Sequence, residues 1–308
     1  MSGGESHILP LDSFILQAAQ DATMLLTSEE EALLPSDQDV VFYRQHGWYR
    51  SKRVLSEALL DYALTGIQRH FSGERDWTLP PTSGFSDWKP GDASGIRNAE
   101  VVALQNAEVR TLALHPILGA IAARLTGSST IRYFSDSALD KPSTLPDNES
   151  VVGWHTDRSY WRTCTSDNLL TAWIPFQDCT IEMGPLVYVD SSHTWPGTED
   201  MRTFQCKNLD ELESRFPDRG PIVKVPMTLR RGEISIHHCR LIHGSGPNTS
   251  GKSRLAFALH LQDEPNQYRL RRNDHGIPWH IYLDDLASKR EDGTPDYADP
   301  SVFPTLWG

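Results

Sequence analysis

The second half of the chain consists of short β-rich segments separated by turn residues, and no helical pattern interrupts them. These segments start near residues 130, 171, 185, 221, 233 and 254. Strands that follow one another without intervening helices predict an antiparallel sandwich or barrel, because parallel strands need long crossover connections. The 21 glycines and 20 prolines of the 308-residue chain supply the turns that such a fold requires. We therefore expect a mainly β fold with flanking helices.

Two helices are predicted before these strands. In residues 51–71 apolar side chains recur every three or four positions, which is typical of an amphipathic helix. Residues 115–125 predict a second helix, since a proline stands at its start and a glycine just beyond its end. Residues 82–98 between them are rich in turn residues, and we expect a surface loop there that can act as a lid.

The predicted domain organisation is an acidic arm followed by one domain. Residues 1–40 contain eight acidic residues and no lysine or arginine, which predicts a solvated arm. Residues 41–308 are expected to form a single domain, with a helical part at 41–128, a β core at 129–262 and a C-terminal extension at 263–308. Four aromatic residues predict that the extension packs across the core, namely Trp279, Tyr282, Tyr297 and Trp307.

The charge balance argues against nucleic acid as a partner. The chain has 29 Lys and Arg residues against 41 Asp and Glu residues, a net charge of −12, whereas proteins that bind a phosphate backbone are usually basic. The first residues lack the pattern of a secretory signal, and no apolar stretch is long enough to cross a membrane. The four dispersed cysteines are expected to be reduced thiols. We therefore expect a cytoplasmic protein without a membrane or nucleic-acid partner, whose oligomeric state the sequence does not specify.

The segment GWHTDRSYW contains two metal-ligand side chains two residues apart. On an extended strand His155 and Asp157 leave the same face and can reach one ion. An isolated H-x-D pair often occurs by chance, so a third ligand is needed. His243 can supply it at the end of a β run, before a glycine-rich turn; His237 and His238 are alternatives, although histidines within a strand are more often structural. Two histidines and one carboxylate form a facial triad that leaves three positions of a non-haem Fe(II) open.

Further motifs accompany these residues in a fixed order. They are WHTD at 154–157, MGPL at 183–186, SSH at 191–193, RGE at 231–233 and HGSGPN at 243–248, with an arginine eleven residues after the histidine. In this combination residues 130–262 resemble the phytanoyl-CoA dioxygenase family of Fe(II)/2-oxoglutarate-dependent oxygenases. The resemblance implies a double-stranded β-helix, the jelly roll also found in cupins, with N-terminal helices packed on one sheet. It also implies Fe(II) as cofactor, 2-oxoglutarate as co-substrate and O2 as oxidant.

The resemblance further implies roles for three residues near the metal. Arg254 would bind the distal carboxylate of 2-oxoglutarate, for which a planar guanidinium is suited. Ser245 would add a hydroxyl hydrogen bond to this carboxylate, and Trp173 would line the co-substrate pocket. The implied reaction is oxidation of an unactivated C–H bond, with hydroxylation as the main expectation and desaturation, epimerisation and cyclisation as alternatives.

Four residues are candidates for contacting the substrate, as an aromatic pocket with a cationic anchor: Arg158, Tyr160, Trp161 and Arg97. An acyl-CoA would favour a basic cluster for its phosphates, and the one dense basic run, at 269–272, is better explained as charged surface. We expect instead a small free metabolite, such as a secondary-metabolism intermediate or an amino-acid derivative.

Two other protein classes are alternatives. A cupin-type metal isomerase would need no co-substrate, and it has no reason to keep both Arg254 and Ser245. A non-catalytic jelly-roll binding module has no reason to keep an intact metal triad.

Overall fold

Two antiparallel sheets form the centre of the protein, and helices cover the outer face of the larger one. The computed structural model describes residues 26–80, 84–92, 95–143 and 150–308. The strands are β1 (Trp48–Arg53), β2 (Arg97–Glu100), β3 (Ile131–Lys141), β4 (Val152–His155), β5 (Leu170–Pro175), β6 (Val187–Val189), β7 (Lys224–Pro226), β8 (Glu233–His238), β9 (His243–Ser245), β10 (Arg254–Asp263) and β11 (Thr305–Trp307). The helices are α1 (Ser28–Glu31), α2 (Asp37–His46), α3 (Glu57–Phe71), α4 (Ala107–Ala113), α5 (Pro116–Thr126), α6 (Leu212–Arg215) and α7 (Tyr282–Leu286).

The strand order is that of a jelly roll. The larger sheet runs β1-β8-β5-β10-β3-β11, with β2 also paired to β3, and the smaller sheet runs β4-β9-β6-β7. Strands distant in sequence are therefore neighbours, and all of these pairs are antiparallel. The predicted fold class, a mainly β jelly roll with helices on one sheet, is confirmed.

The larger sheet turns one face to the helices and the other to a cavity. Strand β5 shows the alternation, since successive side chains of a strand point to opposite faces. Ala172 and Ile174 join the apolar core under the helices, whereas Thr171 and Trp173 line the cavity. Because both faces are covered, the whole strand is buried.

Of the two predicted helices, the second is confirmed and the first begins later than predicted. The helix predicted at residues 115–125 is confirmed as α5, which packs on β3, β10 and β11. The helix predicted at residues 51–71 begins only at Glu57. Ser56 is its N-cap, because the Ser56 hydroxyl accepts a hydrogen bond from the backbone N–H of Leu59. Its predicted first turn is instead the end of β1, because residues 48–53 pair with β8 at the edge of the larger sheet. This long-range pairing outweighs the local helical pattern.

The described part of the predicted acidic arm packs against the domain. Leu26 is buried, and Leu33, Leu34 and Val40 contact the core. A solvated arm is therefore incorrect for residues 26–40, because apolar side chains between the acidic ones can be buried while the carboxylates stay in water. Residues 1–25 lie outside the described residues, and the remaining domain division stays a prediction.

The early loop and the C-terminal extension both border the cavity. Residues 82–83 and 93–94 of the predicted loop lie outside the described residues. The loop leads into β2, which starts at Arg97, and its function as a lid stays a prediction. In the extension Tyr297 is fully buried, and Tyr282 and Trp307 contact the core. Trp279 lies instead at the cavity. Within the described part of the chain no helix combines the length and apolar character needed to cross a membrane.

Gly153 in β4 is expected to tolerate no side chain. A Cβ atom there would lie 2.0 Å from the carbonyl oxygen of Thr203 and 2.5 Å from that of Cys206. Because these are backbone atoms, a Gly153→Ala variant must displace the strand, and we expect the free energy of unfolding to fall by about 1–3 kcal/mol. Chemical denaturation measures this loss. Gly95→Ala is the matched control, since no atom lies within 4 Å of its Cβ position; equal stability of the two variants would contradict the prediction.

Candidate metal centre

Strand pairing in the smaller sheet brings two histidines face to face. His155 at the end of β4 is the direct partner of His243 at the start of β9, and the two ring centroids lie 4.1 Å apart. The Nδ1 atom of His155 donates to the carbonyl oxygen of Gly153 at 2.8 Å, and that of His243 donates to Leu241 at 3.0 Å. These bonds fix the tautomer and leave both Nε2 lone pairs free for a metal.

The third ligand comes from a turn rather than from the strand. His155 and Asp157 were predicted to lie on one strand, but β4 ends at His155, and Asp157 begins a short 3-10 helix. A hydrogen bond of 2.8 Å from the backbone N–H of Arg158 to the carbonyl oxygen of Cys239 holds this turn. One donor atom from each of His155, Asp157 and His243 lies within 4.8 Å of the others. The structure therefore brings the three predicted ligands together.

The protonation states suit a divalent cation. Burial and the neighbouring His243 lower the pKa of His155 to about 3, and burial and the neighbouring His237 lower the pKa of His243 to about 4, so both rings are neutral at pH 7. Burial opposes ionisation of Asp157, but its interaction with His243 and a hydrogen bond from His237 hold the pKa of this carboxyl well below its usual range. Two neutral nitrogens and one anionic oxygen form the donor set of a non-haem Fe(II) site.

The larger sheet orients the carboxylate. The hydroxyl of Thr171 donates to Oδ2 of Asp157 at 2.6 Å and accepts from Nδ1 of His260 at 2.8 Å. His237 donates from Nε2 to the same Oδ2 at 3.1 Å, and its Nδ1 accepts from the hydroxyl of Tyr188 at 3.0 Å. Because Oδ2 is fully engaged, Oδ1 is left for the metal. His237, an alternative ligand in the sequence, thus positions the ligand Asp157.

Removal of the Thr171 hydroxyl is expected to weaken metal binding. A Thr171→Val variant keeps the shape of the side chain but leaves Oδ2 of Asp157 and Nδ1 of His260 each without one partner. Loss of such a supporting contact typically costs about 10- to 100-fold in metal affinity, which titration with Fe(II) under anaerobic conditions measures. Thr163→Val is the matched control, because its buried hydroxyl bonds Tyr297 away from the site. Equal Fe(II) affinity of both variants would contradict this function of Thr171.

Two buried cations lie beside the triad. Arg254 is 1% exposed, its Nη2 donates to the carbonyl oxygen of Gly184 at 3.2 Å, and its buried Nε has no hydrogen-bond partner in the described part of the chain. Lys141 is 0% exposed and donates from Nζ to the hydroxyl of Ser245 at 2.5 Å. Among the described residues no carboxylate lies within ion-pair distance of either cation. Burial lowers the pKa of both side chains, and for Lys141 the proximity of Arg254 adds to this effect.

The buried guanidinium of Arg254, with Lys141 behind Ser245, favours a site for an anion. Unpaired buried charge is costly, and a dicarboxylate offers a planar group that matches a guanidinium. Ser245 and Trp173 line the same cavity, and the guanidinium of Arg254 lies 5.5 Å from the centroid of the Trp173 ring. The three residues predicted for 2-oxoglutarate therefore lie together. Lys141 was not predicted to bind 2-oxoglutarate, although it is the last residue of β3, the strand that precedes the metal motif.

The predicted substrate residues divide into two groups. Tyr160 and Trp161 line the cavity. Arg158 does not, because its guanidinium is used by the carboxylate of Asp167 and by two backbone carbonyls. Arg97 also points elsewhere, since it forms an ion pair with Asp140. The predicted cationic anchor is therefore incorrect for both arginines, because their guanidinium groups form ion pairs within the protein.

Comparison of the sequence with models of known protein families identifies the family of the chain. The sequence model of the phytanoyl-CoA dioxygenase (PhyH) family matches residues 43–256. The chain belongs to this family. The phytanoyl-CoA dioxygenase domain-containing protein 1 homolog of Caenorhabditis briggsae is 28% identical over 119 residues, which are 36% of this chain and 41% of that protein. The chain thus matches about two-fifths of the length of this curated relative.

Solved structures support the same fold over most of the chain. A non-heme alpha ketoglutarate dependent carbocyclase from nogalamycin biosynthesis, SnoK, is 25% identical with a TM-score of 0.66, over 88% of this chain and 96% of that one. The epimerase SnoN, in complex with Fe3+, alpha ketoglutarate and nogalamycin RO, is 24% identical with a TM-score of 0.65, over 88% and 98%. The cofactors expected from the sequence, Fe(II), 2-oxoglutarate and O2, are those of this family.

The sequence pattern identified neither Thr171 nor His260 as supporting residues of the site, and it suggested His237 only as an alternative ligand. Thr171, His237 and His260 face the cavity from three adjacent strands, where they are direct cross-strand partners. The period-2 alternation of each strand could have placed them on one face. Only the strand order could have shown that this face lies opposite Asp157.

Proposed function

We propose that this protein is an Fe(II)/2-oxoglutarate-dependent oxygenase that oxidises a C–H bond of a small molecule, with hydroxylation as the outcome. The observation that carries the proposal is the position of Arg254 and Lys141, two buried basic side chains without an ion pair among the described residues, beside three converging metal ligands. A metal-binding protein without a dicarboxylate co-substrate has no need of this arrangement.

Each residue has a defined task in this reaction. His155 and His243 would hold the metal through Nε2, and Asp157 through Oδ1. Arg254, Lys141 and Ser245 would bind the distal carboxylate of 2-oxoglutarate and so fix its opposite end at the metal. When bound, Fe(II) and 2-oxoglutarate supply the activation of O2 and the reducing equivalents.

The cavity supports a small-molecule substrate. Its volume is about 770 Å³, within the range of ligand pockets, and it contains the metal ligands as well as residues from the C-terminal extension. This volume exceeds what 2-oxoglutarate fills. Epimerisation and cyclisation are second candidate outcomes, because SnoN is an epimerase and SnoK a carbocyclase. The geometry of the bound substrate would decide between these outcomes.

Anaerobic spectroscopy tests the proposal. Addition of Fe(II) and 2-oxoglutarate to the metal-free protein should produce the weak visible charge-transfer band of a 2-oxo acid chelated to ferrous iron. Succinate in place of 2-oxoglutarate is the control, since it lacks the 2-oxo group and should give no band. Absence of the band with 2-oxoglutarate would favour the cupin-type isomerase or the binding module. Screening metabolites for stimulated succinate release would then identify the substrate.

A further inference from the structure

One end of the cavity carries a half-buried carboxylate, Glu100, that forms no ion pair with the described residues. Glu100 and Asn98 alternate with Arg97 and Ala99 along β2, so both project from the same face of the strand, and both line the cavity. The carboxylate of Glu100 accepts one hydrogen bond, at Oε2 from the backbone N–H of Ser86 at 2.5 Å. Within the described chain no group donates to its Oε1 and no basic side chain forms an ion pair with it.

The neighbouring amide also has unused capacity. Asn98 accepts at Oδ1 from the hydroxyl of Ser137 at 2.5 Å, which fixes the orientation of the amide. Its Nδ2 group donates to no atom of the described residues. Glu100 thus presents an acceptor to the cavity, and Asn98 presents a donor two residues away on the same strand face.

The register of the larger sheet connects this pair to the co-substrate site. Glu100 pairs with Ser137, Ser137 with Ala258, and Ala258 with Trp173, which borders Arg254. Three strand spacings separate Glu100 from Trp173, roughly 14 Å. The side chains between them are small, so the floor of the cavity is open along this row. Tyr160, Trp161 and Tyr282 add aromatic surfaces to the cavity.

We propose that Glu100 and Asn98 bind a hydroxyl group of the substrate, and that the substrate is a cyclic, hydroxyl-bearing molecule such as a sugar or glycoside. This inference rests on the proposed function, because it concerns the substrate of the same reaction. A hydroxyl group satisfies both residues at once, since it donates to the carboxylate and accepts from the amide. An ammonium group would satisfy Glu100 but offers no acceptor to Asn98. The ring would then extend over the small side chains toward the metal.

The electrostatics of Glu100 agree with a neutral partner. Burial raises the pKa of this carboxyl to about 7, and the nearby Asp136 adds to the increase. A structural carboxylate in a protein interior is normally paired with a cation or saturated with donors. Glu100 is half-buried and its carboxylate accepts one hydrogen bond from the described residues, so it can accept another from a ligand group.

Ligand-observed NMR with defined probes tests the inference. The full-length protein, loaded with redox-inert zinc and 2-oxoglutarate, is mixed with phenyl glycosides of several sugar configurations, their per-O-methyl ethers and their amino-deoxy counterparts. We expect at least one free glycoside to bind and its methyl ether to bind at least about tenfold more weakly. Glu100→Gln and Asn98→Ala should each weaken the glycoside about 3- to 10-fold. Neither variant should change the affinity for 2-oxoglutarate, which the same samples report.

The matched control is Glu29→Gln, because Glu29 is an exposed carboxylate on α1 that does not line the cavity and forms no ion pair with the residues that the structure describes. Equal binding of ethers and free glycosides, absence of binding by every glycoside, or unchanged binding by both cavity variants would overturn the inference. Preference for the amino-deoxy probes would overturn it in favour of an ammonium ligand. If the unmodified protein does not bind 2-oxoglutarate, this result would instead contradict the proposed function. Thermal denaturation confirms that each variant is folded.

Discussion

An Asp157→Ala variant is expected to lose Fe(II) binding almost completely. The substitution removes the anionic ligand and leaves two neutral imidazoles, while Thr171 and His237 lose the acceptor that they share. Loss of a supporting contact alone costs about 10- to 100-fold in metal affinity, so loss of the ligand should exceed about 100-fold. The anaerobic charge-transfer band with 2-oxoglutarate should be absent at Fe(II) concentrations that saturate the unmodified protein.

Two further variants separate ligand loss from misfolding. Asp157→Asn keeps the size of the side chain and should also lose the band, since the amide lacks the negative charge. His275→Ala removes a histidine that is exposed and remote in sequence from the triad, and it should leave the band unchanged. Retention of the band by the Asn and Ala variants of Asp157 would show that this carboxylate is not a ligand.

An Arg254→Leu variant is expected to weaken 2-oxoglutarate much more than Fe(II). The guanidinium of Arg254 is fully buried, lines the cavity, and has an Nε without a hydrogen-bond partner among the described residues. Loss of a charge-assisted contact of roughly 1.5–3 kcal/mol corresponds to about a 10- to 150-fold loss of affinity. Titration of 2-oxoglutarate into the Fe(II)-loaded protein measures this loss, and titration of Fe(II) alone measures the metal.

The size of this effect depends on the second cation. Lys141 remains at Ser245 and can still attract the carboxylate, so some 2-oxoglutarate binding should persist in Arg254→Leu. Arg215→Leu, at an exposed arginine on α6, is the matched control and should bind 2-oxoglutarate normally. Equal losses of affinity for Fe(II) and for 2-oxoglutarate in Arg254→Leu would contradict the predicted function of this arginine.

Local pattern predicted the parts of the fold that depend on local interactions. The strand segments from residue 130 onward and helix α5 occur as expected, because their periodicity and turn residues act over a few positions. Strand β1 was missed, since its conformation comes from pairing with β8, almost two hundred residues later in the chain. The negative charge of residues 26–40 predicted a solvated arm, although the apolar side chains of this segment contact the core.

The same distinction applies to the substrate residues. Arg158 and Arg97 were predicted to anchor the substrate because they are basic and near the motif or its loop. In the folded protein Arg158 forms an ion pair with Asp167, and Arg97 forms one with Asp140. Glu100 and Asn98 carry no sequence motif, and they reach the cavity only because β2 joins the edge of β3.

The sequence by itself predicted the chemistry of the candidate metal centre, because the ligand residue types and the motifs around them occur along the chain in a fixed order. His155, Asp157, His243 and Arg254 could be named from these motifs alone. The tertiary structure decided which other groups face them: Thr171 and His237 on the carboxylate, Lys141 beside the arginine, and Glu100 at the far end of the cavity. The reason is that burial, pairing and cross-strand register arise from contacts between residues distant in sequence, which local pattern does not encode.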